Sequence, residues 1–288
     1  MASFAAGDLT DRVVALIAST LEMQAEASVE PPKIFIGDVI CTIEEQLARL
    51  PDMAKLLPSE RSKLDAIGTE LWNVCRSPSR SSNLEDKETV EMYSRVLAVA
   101  FALVDITSPY NAQGYSQSIG LREKWLISYT GHVRALEVAF EAAHICIETA
   151  PLDYTLRILK VVAKRLNSLE ASDPAIDQVQ LDSISTEYYM FRVHLAWRQG
   201  RSDIADHLFA KVPLKASINN RSVVVERCLH VGRGALEVGQ YDASIKWLET
   251  ALEQMQEIPE DQGLGLKNLT LHVRHTLGQS VQAGLWKK

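Results

Sequence analysis

The chain has 288 residues and a formal net charge of −7, with 47% hydrophobic and 23% charged residues. These values are typical of a globular protein with a sizeable core, and they exclude wholesale disorder. The acidic balance argues against a dominant nucleic-acid-binding surface, which usually requires a basic stripe.

The cysteines and the apolar segments predict a soluble intracellular chain. Cys41, Cys75, Cys146 and Cys228 lie far apart and form no CxxC pair, which is typical of reduced core thiols. The N-terminus has no signal-peptide pattern. The longest apolar run, residues 96–104, is well short of the roughly 20 residues that span a bilayer. We therefore expect no contact with a membrane.

Helical periodicity recurs along the chain, whereas period-two alternation is almost absent. We predict two helices before Pro51, a helix from residue 58 and a long helix around residues 90–104. The helices predicted after these are 121–149, 152–168, 175–199, 202–212, 217–237, 241–256 and 267–285. Short connections between so many helices favour antiparallel helix pairs over βαβ units.

One glycine lies among the core positions of the helix that begins at residue 58. Leu64, Ile67, Leu71 and Trp72 fall on one helical face, and Gly68 lies on that same face. A glycine inside a helix costs about 1 kcal/mol relative to alanine. We interpret Gly68 as a place where another helix approaches closely, with the indole of Trp72 filling the adjacent space.

A segment near the C-terminus has the spacing of a tetratricopeptide repeat (TPR), a helical hairpin with a turn glycine and fixed small and large positions. The clearer copy spans residues 225–255 and resembles the repeat at Gly232, Gly239, Tyr241, Leu248 and Ala251. Ser244 stands where the repeat has a small alanine. We predict that Gly239 occupies the turn of a hairpin and that Tyr241 and Leu248 fill the space between its helices.

A weaker copy of the repeat spans residues 188–212. It matches at Gly200, Ala205 and Phe209. The predicted fold is therefore all-α, a TPR-like α-solenoid of antiparallel helix pairs, in a single continuous helical-repeat domain over residues 1–288.

The last predicted helix places an apolar stripe close to the end of the sequence. One side of this helix carries Leu269, Val273, Thr276, Leu277, Val281 and Trp286. Solenoids usually end in a capping repeat with a polar outer face. We expect the chain to be part of a longer solenoid whose apolar end face self-associates or needs a partner.

The sequence has no pattern for catalysis, cofactor binding or metal binding. It contains no Walker loop and no GxSxG elbow, and GLGLKNL (263–269) is interpreted as a loop between helices. His272 and His275 are spaced like metal ligands but have no third ligand nearby. We expect no enzymatic activity, no cofactor and no direct small-molecule ligand.

Two further hypotheses, a clamp for peptide carboxylates and a phosphorylation site, depend on particular residues. A TPR clamp for peptide carboxylates needs Lys and Asn on its first helices, where the clearer copy has Leu229 and Arg233. The loop RSPSRSS (76–82) is either a solvated linker or a regulatory phosphorylation site.

Three stretches together resemble the N-terminal part of a known family. They are LDAIGTELWNVC (64–75), YYMFRVHLAWRQGRSDIADHLFAKV (188–212) and GQYDASIKWLETALEQM (239–255). This ordered set is similar to the fungal Zip-four/Spo-twenty-two meiotic family, and the resemblance extends over residues 60–280.

The resemblance implies a TPR-like scaffold without catalytic activity, located in the nucleus on meiotic chromosomes. Such a scaffold promotes crossover formation and synaptonemal complex assembly by binding other recombination and chromosome-axis proteins. Direct binding of nucleic acid is not expected. The alternative is a generic cytosolic TPR adaptor that binds peptide segments of partner proteins in its concave groove.

Overall fold

The computed structural model describes residues 11, 15, 58–76, 87–107, 121–172, 178–214, 218–256, 258 and 263–285. Of these residues, 91% are helical and none lies in a strand, so the prediction of an all-α, TPR-like fold is confirmed. Apart from Asp11 and Ala15, which are helical, the two helices predicted before Pro51 lie outside the described residues, as does the serine-rich loop beyond Arg76.

The described residues form nine helices that are packed in adjacent pairs. They are α1 (Pro58–Arg76), α2 (Lys87–Thr107), α3 (Leu121–Thr149), α4 (Leu152–Ser172), α5 (Gln178–Arg198), α6 (Ser202–Phe209), α7 (Ile218–Glu237), α8 (Tyr241–Gln256) and α9 (Gly263–Leu285).

The interpretation of GLGLKNL as a loop was wrong, because α9 already begins at Gly263. The GxG pair lies in the first helical turn, where the N–H groups have no partner within the helix. A glycine there gives up fewer helical hydrogen bonds than one in mid-helix, so the helix can begin before the predicted residue.

The chain divides into two compact units. Unit 1 comprises Met1–Arg165 and unit 2 comprises Leu166–Lys288, so the boundary lies inside α4. Neighbouring repeats of a solenoid also pack mainly against each other, so this division does not test the predicted single repeat domain. That domain organisation stays a prediction.

In unit 1, α1 and α2 cross at Gly68. A methyl group placed on Gly68 would lie 2.8 Å from Leu103 Cβ and 3.5 Å from the main-chain nitrogen of Val104. Trp72 is buried one turn further along α1. Leu103 Cβ of α2 therefore occupies the space that a side chain at Gly68 would need, and the α2 backbone lies in contact just beyond it.

A buried charge fixes α4 to the C-terminal end of α2. The Arg165 side chain is 2% exposed, and its Nε donates a hydrogen bond of 2.7 Å to Asp105 Oδ1. Its Nη2 donates to the main-chain oxygen of Asp105 at 3.1 Å. The last carbonyl groups of a helix lack partners within the helix, and the guanidinium supplies one here.

In unit 2, a glycine with left-handed backbone ends the first helix of each hairpin. Gly200, with φ of +72°, donates its N–H to the Trp197 oxygen at 2.8 Å, and Arg201 donates to the Ala196 oxygen at 2.9 Å. These two bonds define the Schellman motif. Gly239, with φ of +75°, ends α7 with the same pair of bonds.

Small residues let the hairpin helices of unit 2 pack closely. A methyl group on Gly232 would lie 2.7 Å from Leu248 Cγ, so α8 inserts a leucine directly over α7. One on Gly234 would lie 2.8 Å from Trp197 Cη2. Leu248 and Ala251 are fully buried, and α8 contacts both α7 and α9.

Because α1 and α2 cross so closely at Gly68, we expect even the Gly68→Ala substitution to destabilise the protein. The added methyl would meet Leu103 Cβ, which is attached to the α2 backbone and cannot rotate away. We expect a loss of about 1–3 kcal/mol from overpacking, which exceeds the gain of about 1 kcal/mol in helix propensity. Chemical denaturation of Gly68→Ala measures the difference.

Gly265→Ala is the matched control, because Gly265 lies in a helix and no described atom approaches within 4 Å of its added methyl. It should have neutral to slightly increased stability. If the two variants shifted stability in the same direction, the close-crossing account would be wrong.

Candidate functional site

A groove of about 530 Å³ lies at the end of unit 2 where the hairpin turns meet. Its wall combines the end of α5, the start of α6, the α7–α8 turn and the first half of α8, and Gly284 of α9 closes one side. The lining residues are Trp197, Gly200, Ser202, Asp206, Gly239, Gln240, Tyr241, Asp242, Ala243, Lys246, Trp247 and Gly284. The two turn glycines thus place three aromatic side chains around one concave surface.

The aromatic residues of the groove are held by packing beneath it. Trp247 contacts Phe209 edge to face, with ring centroids 5.6 Å apart and an interplanar angle of 80°. Trp197 is buried against Gly234. Tyr241 is only half-buried and lies beside Gly284, where an added methyl would be 3.5 Å from Tyr241 Cβ.

One ion pair joins α6 and α8 at the groove. Lys246 Nζ lies 2.5 Å and 2.6 Å from the two carboxylate oxygens of Asp206. Both side chains are about half exposed, so solvent screens the pair and it contributes about 1 kcal/mol or less. Lys246 Nζ also lies 5.8 Å from the centroid of the Trp247 ring, within cation–π range.

The groove has features that are common in binding sites. Its volume falls in the range of known ligand sites, and it combines aromatic side chains with a few charged groups. Neither histidine nor cysteine occurs among the described lining residues. A partner side chain could pack on the rings while its backbone bonds to the polar groups around them.

The structure divides the residues of the predicted repeats between the groove and the core. Gly200, Gly239 and Tyr241 line the groove. Ala205, Gly232, Leu248 and Ala251 are buried beneath it, and Phe209 is partly buried. Gly68 and Trp72 belong to unit 1. The repeat spacing therefore located the scaffold of the groove.

Nine of the twelve lining residues were missed from the sequence, and the ones that matter for its aromatic and charged character are Trp197, Asp206, Lys246 and Trp247. Asp206 and Lys246 are 40 residues apart, and nothing in their local sequence indicates that they meet. Trp197 had a usable signal, because it precedes the turn glycine by one helical turn and so belongs at the same end of the hairpin.

Ser244, which replaces the usual small alanine of the repeat, links three helices. Its Oγ donates to the main-chain oxygen of Gly232 in α7 at 2.7 Å. Ser280 Oγ of α9 lies 2.8 Å from Ser244 Oγ and 2.9 Å from the oxygen of Thr276. Both serines are fully buried, so their hydroxyl groups satisfy each other away from water.

The same contact determines the rotation of α9 about its axis. Within the predicted apolar stripe, Val281 is 42% exposed, whereas the neighbouring Ser280, which lies outside the stripe, is buried. Val273 and Thr276 of the stripe are buried, and Ser280 faces Ser244. Periodicity alone could not decide between two adjacent residues when a polar one has a buried partner.

The described residues contain neither a candidate metal site nor an activated thiol. They contain no group of three or more potential metal ligands, and both His272 and His275 are exposed. Burial raises the pKa of the Cys146 thiol to about 12 and also raises the pKa of Cys228. Both thiols are therefore protonated at neutral pH and are poor nucleophiles. No helix in the described parts of the chain is long and apolar enough to cross a membrane.

The two positions that a carboxylate clamp would use are not equivalent in the structure. Leu229 is buried in the core of unit 2, whereas Arg233 is exposed. Only one of the two is accessible to a peptide, and it is a cation without the asparagine that such a clamp needs.

Part of unit 2 matches a known protein family. Residues 195–283 match the family model described as "Meiosis protein SPO22/ZIP4 like". The resemblance to this family is thereby confirmed for that part of the chain, and it implies a role related to meiosis. No curated protein and no solved structure matches the chain.

The SPO22/ZIP4-like segment, residues 195–283, runs from the last turn of α5 to the last turn of α9. It contains both Schellman turns and nearly all of the groove. The stretch at residues 64–75 lies outside the match, so the matched region is shorter than the predicted 60–280.

The hydroxyl contact in the SPO22/ZIP4-like segment predicts a loss of stability for Ser244→Ala. Removal of the hydroxyl leaves Ser280 without one of its partners and the Gly232 oxygen without an extra donor. We expect a loss of about 1 kcal/mol, measured by chemical denaturation.

Thr250→Ala is the control for this variant. The Thr250 hydroxyl donates to the Lys246 oxygen within α8 at 2.9 Å in an exposed position, so its removal should cost little. Equal losses for the two variants would show that Ser244 does not join the helices.

Proposed function

We propose that the chain is a non-catalytic protein–protein interaction scaffold that acts in meiosis on chromosomes in the nucleus. In this role it promotes crossover formation and synaptonemal complex assembly by binding other recombination and chromosome-axis proteins. The observation that carries the proposal is the family match over residues 195–283. That segment coincides with the helix pairs that form the groove.

Two structural features support a binding role. Beside an exposed ion pair, the groove offers the partly exposed ring of Tyr241 and small accessible parts of two largely buried tryptophans, a combination that suits a peptide segment of a partner protein. Aromatic residues are enriched where protein interfaces gain most of their affinity. The buried thiols and the exposed histidines, by contrast, provide no reactive centre.

The alternative function, a generic cytosolic TPR adaptor, would use the same groove. The two functions differ in which proteins bind and when they do so. A meiotic scaffold retains crossover and axis proteins from meiotic cells, whereas an adaptor retains chaperones and other peptide-bearing proteins from any cell.

Affinity capture tests the proposal. The tagged full chain is incubated with extracts of meiotic and of vegetative cells, and the retained proteins are compared by quantitative mass spectrometry. We expect crossover and axis proteins from the meiotic extract only. Equal retention of the same chaperones from both extracts would contradict the meiotic function and support the adaptor.

A charge reversal tests whether the groove carries this binding. Lys246→Glu removes the contact with Asp206 and places a like charge beside it, which should lower retention about three- to tenfold. Lys211→Glu is the matched control, because Lys211 is also an exposed lysine of unit 2 and does not line the groove. If both variants retained the meiotic partners as the wild type does, the partners would bind elsewhere.

A further inference from the structure

The outer side of α9 carries an exposed seam with the spacing of a coiled coil. Alternate steps of four and three residues connect Lys267, Leu271, Arg274, Gly278, Val281 and Leu285, and all six are exposed. This spacing places them in two neighbouring rows along one side of a helix. Leu271, Val281 and Leu285 are 65%, 42% and 70% exposed, which is unusual for large apolar side chains.

The opposite side of α9 already has its partners. Val273, Thr276 and Ser280 are buried, and α9 contacts α7 and α8. The seam therefore does not contribute to the packing of unit 2. An exposed helix side with apolar residues at this spacing is one of the surfaces on which proteins bind an amphipathic helix.

Helix α7 shows what such a seam looks like when it is covered. Val225, Gly232 and Ala235 have the same relative spacing as Leu271, Gly278 and Val281, and all three are buried. Leu248 of α8 lies directly over Gly232. No described atom lies within 4 Å of a methyl group placed on Gly278. An incoming helix can thus place a leucine over Gly278 as α8 does over Gly232.

The charges of α9 indicate which kind of partner helix can bind to the seam. Residues 263–285 include Lys267 and Arg274 within the seam and contain no aspartate or glutamate. A second copy of α9 would bring only cations to these cations, and like charges disfavour pairing. A helix with carboxylates opposite Lys267 and Arg274 would neutralise both.

We propose that the α9 seam binds an amphipathic helix of a partner protein, one whose leucine stripe carries acidic residues. The inference rests on the proposed scaffold function and assigns a partner chemistry to one of its surfaces. The leucines pack against Leu271, Val281 and Leu285, and the acidic residues pair with the two cations. The apolar half of the seam favours a helix over nucleic acid, which would use only the cations.

Two synthetic helical peptides with the same leucine stripe provide the probe. One carries glutamates and the other lysines at the positions opposite Lys267 and Arg274. Binding to the full chain is measured by fluorescence anisotropy at low salt. We expect the glutamate peptide to bind at least about tenfold more tightly. Equal binding of both peptides, or binding of neither, would overturn the proposal.

Variants of the seam separate its two parts. Lys267→Glu with Arg274→Glu should invert the preference, so that the lysine peptide binds more tightly. Leu271→Gln with Leu285→Gln should weaken the glutamate peptide about tenfold or more without changing the melting temperature, because both leucines are exposed. Arg201→Glu with Lys211→Glu is the matched control, since these exposed cations flank α6. If this control lost as much binding of the glutamate peptide as the Lys267→Glu, Arg274→Glu variant, the seam would not be the specific binding site.

Sedimentation of the wild-type chain alone tests whether a second copy of the chain occupies the seam instead. A concentration-dependent dimer that disappears in the Leu271→Gln, Leu285→Gln variant would assign the seam to a second copy and overturn the acidic partner. A failure of the peptides to bind would leave the meiotic proposal to be judged by affinity capture. The outcomes of the two experiments are therefore distinguishable.

Discussion

The architecture of unit 2 depends on the left-handed backbone at Gly200 and Gly239. At both positions the chain ends one helix with a Schellman motif and begins the next helix within two residues. A residue other than glycine is destabilised by about 1–2 kcal/mol in this conformation, because its Cβ crowds the following carbonyl. These tight turns bring α6 beside α5 and α8 beside α7, and the groove forms where the two turns meet.

Three other glycines act in a different way, because they remove a side chain where two helices touch. Gly68 leaves room for Leu103 Cβ of α2, Gly232 leaves room for Leu248, and Gly234 leaves room for the ring of Trp197. The last two connect the core of unit 2 to the groove, since Trp197 lies against Gly234 and also lines the groove. Packing in the core therefore fixes the position of Trp197 at the wall of the groove.

The helical elements and their packing residues were largely predictable, because they follow local rules. The 3.6-residue period gave helix bounds within a few residues of those observed, and the repeat spacing located Gly200 and Gly239. The groove was not predictable, since Asp206 and Lys246 meet only after two hairpins have formed. The rotation of α9 was not predictable either, because the buried contact between Ser244 and Ser280 determines it. Local periodicity describes each helix, whereas contacts across helices decide which of its faces is covered.

The most direct test of this account changes Gly200 alone. No described atom lies within 4 Å of a methyl group placed there, so any loss of stability must come from the backbone and not from packing. We compare Gly200→Ala with Gly200→Asn by chemical denaturation, because asparagine tolerates left-handed backbone better than alanine does. The account predicts that alanine costs about 1–2 kcal/mol and that asparagine costs clearly less. Wild-type stability in both variants would contradict the claim that the left-handed turn holds the hairpin together.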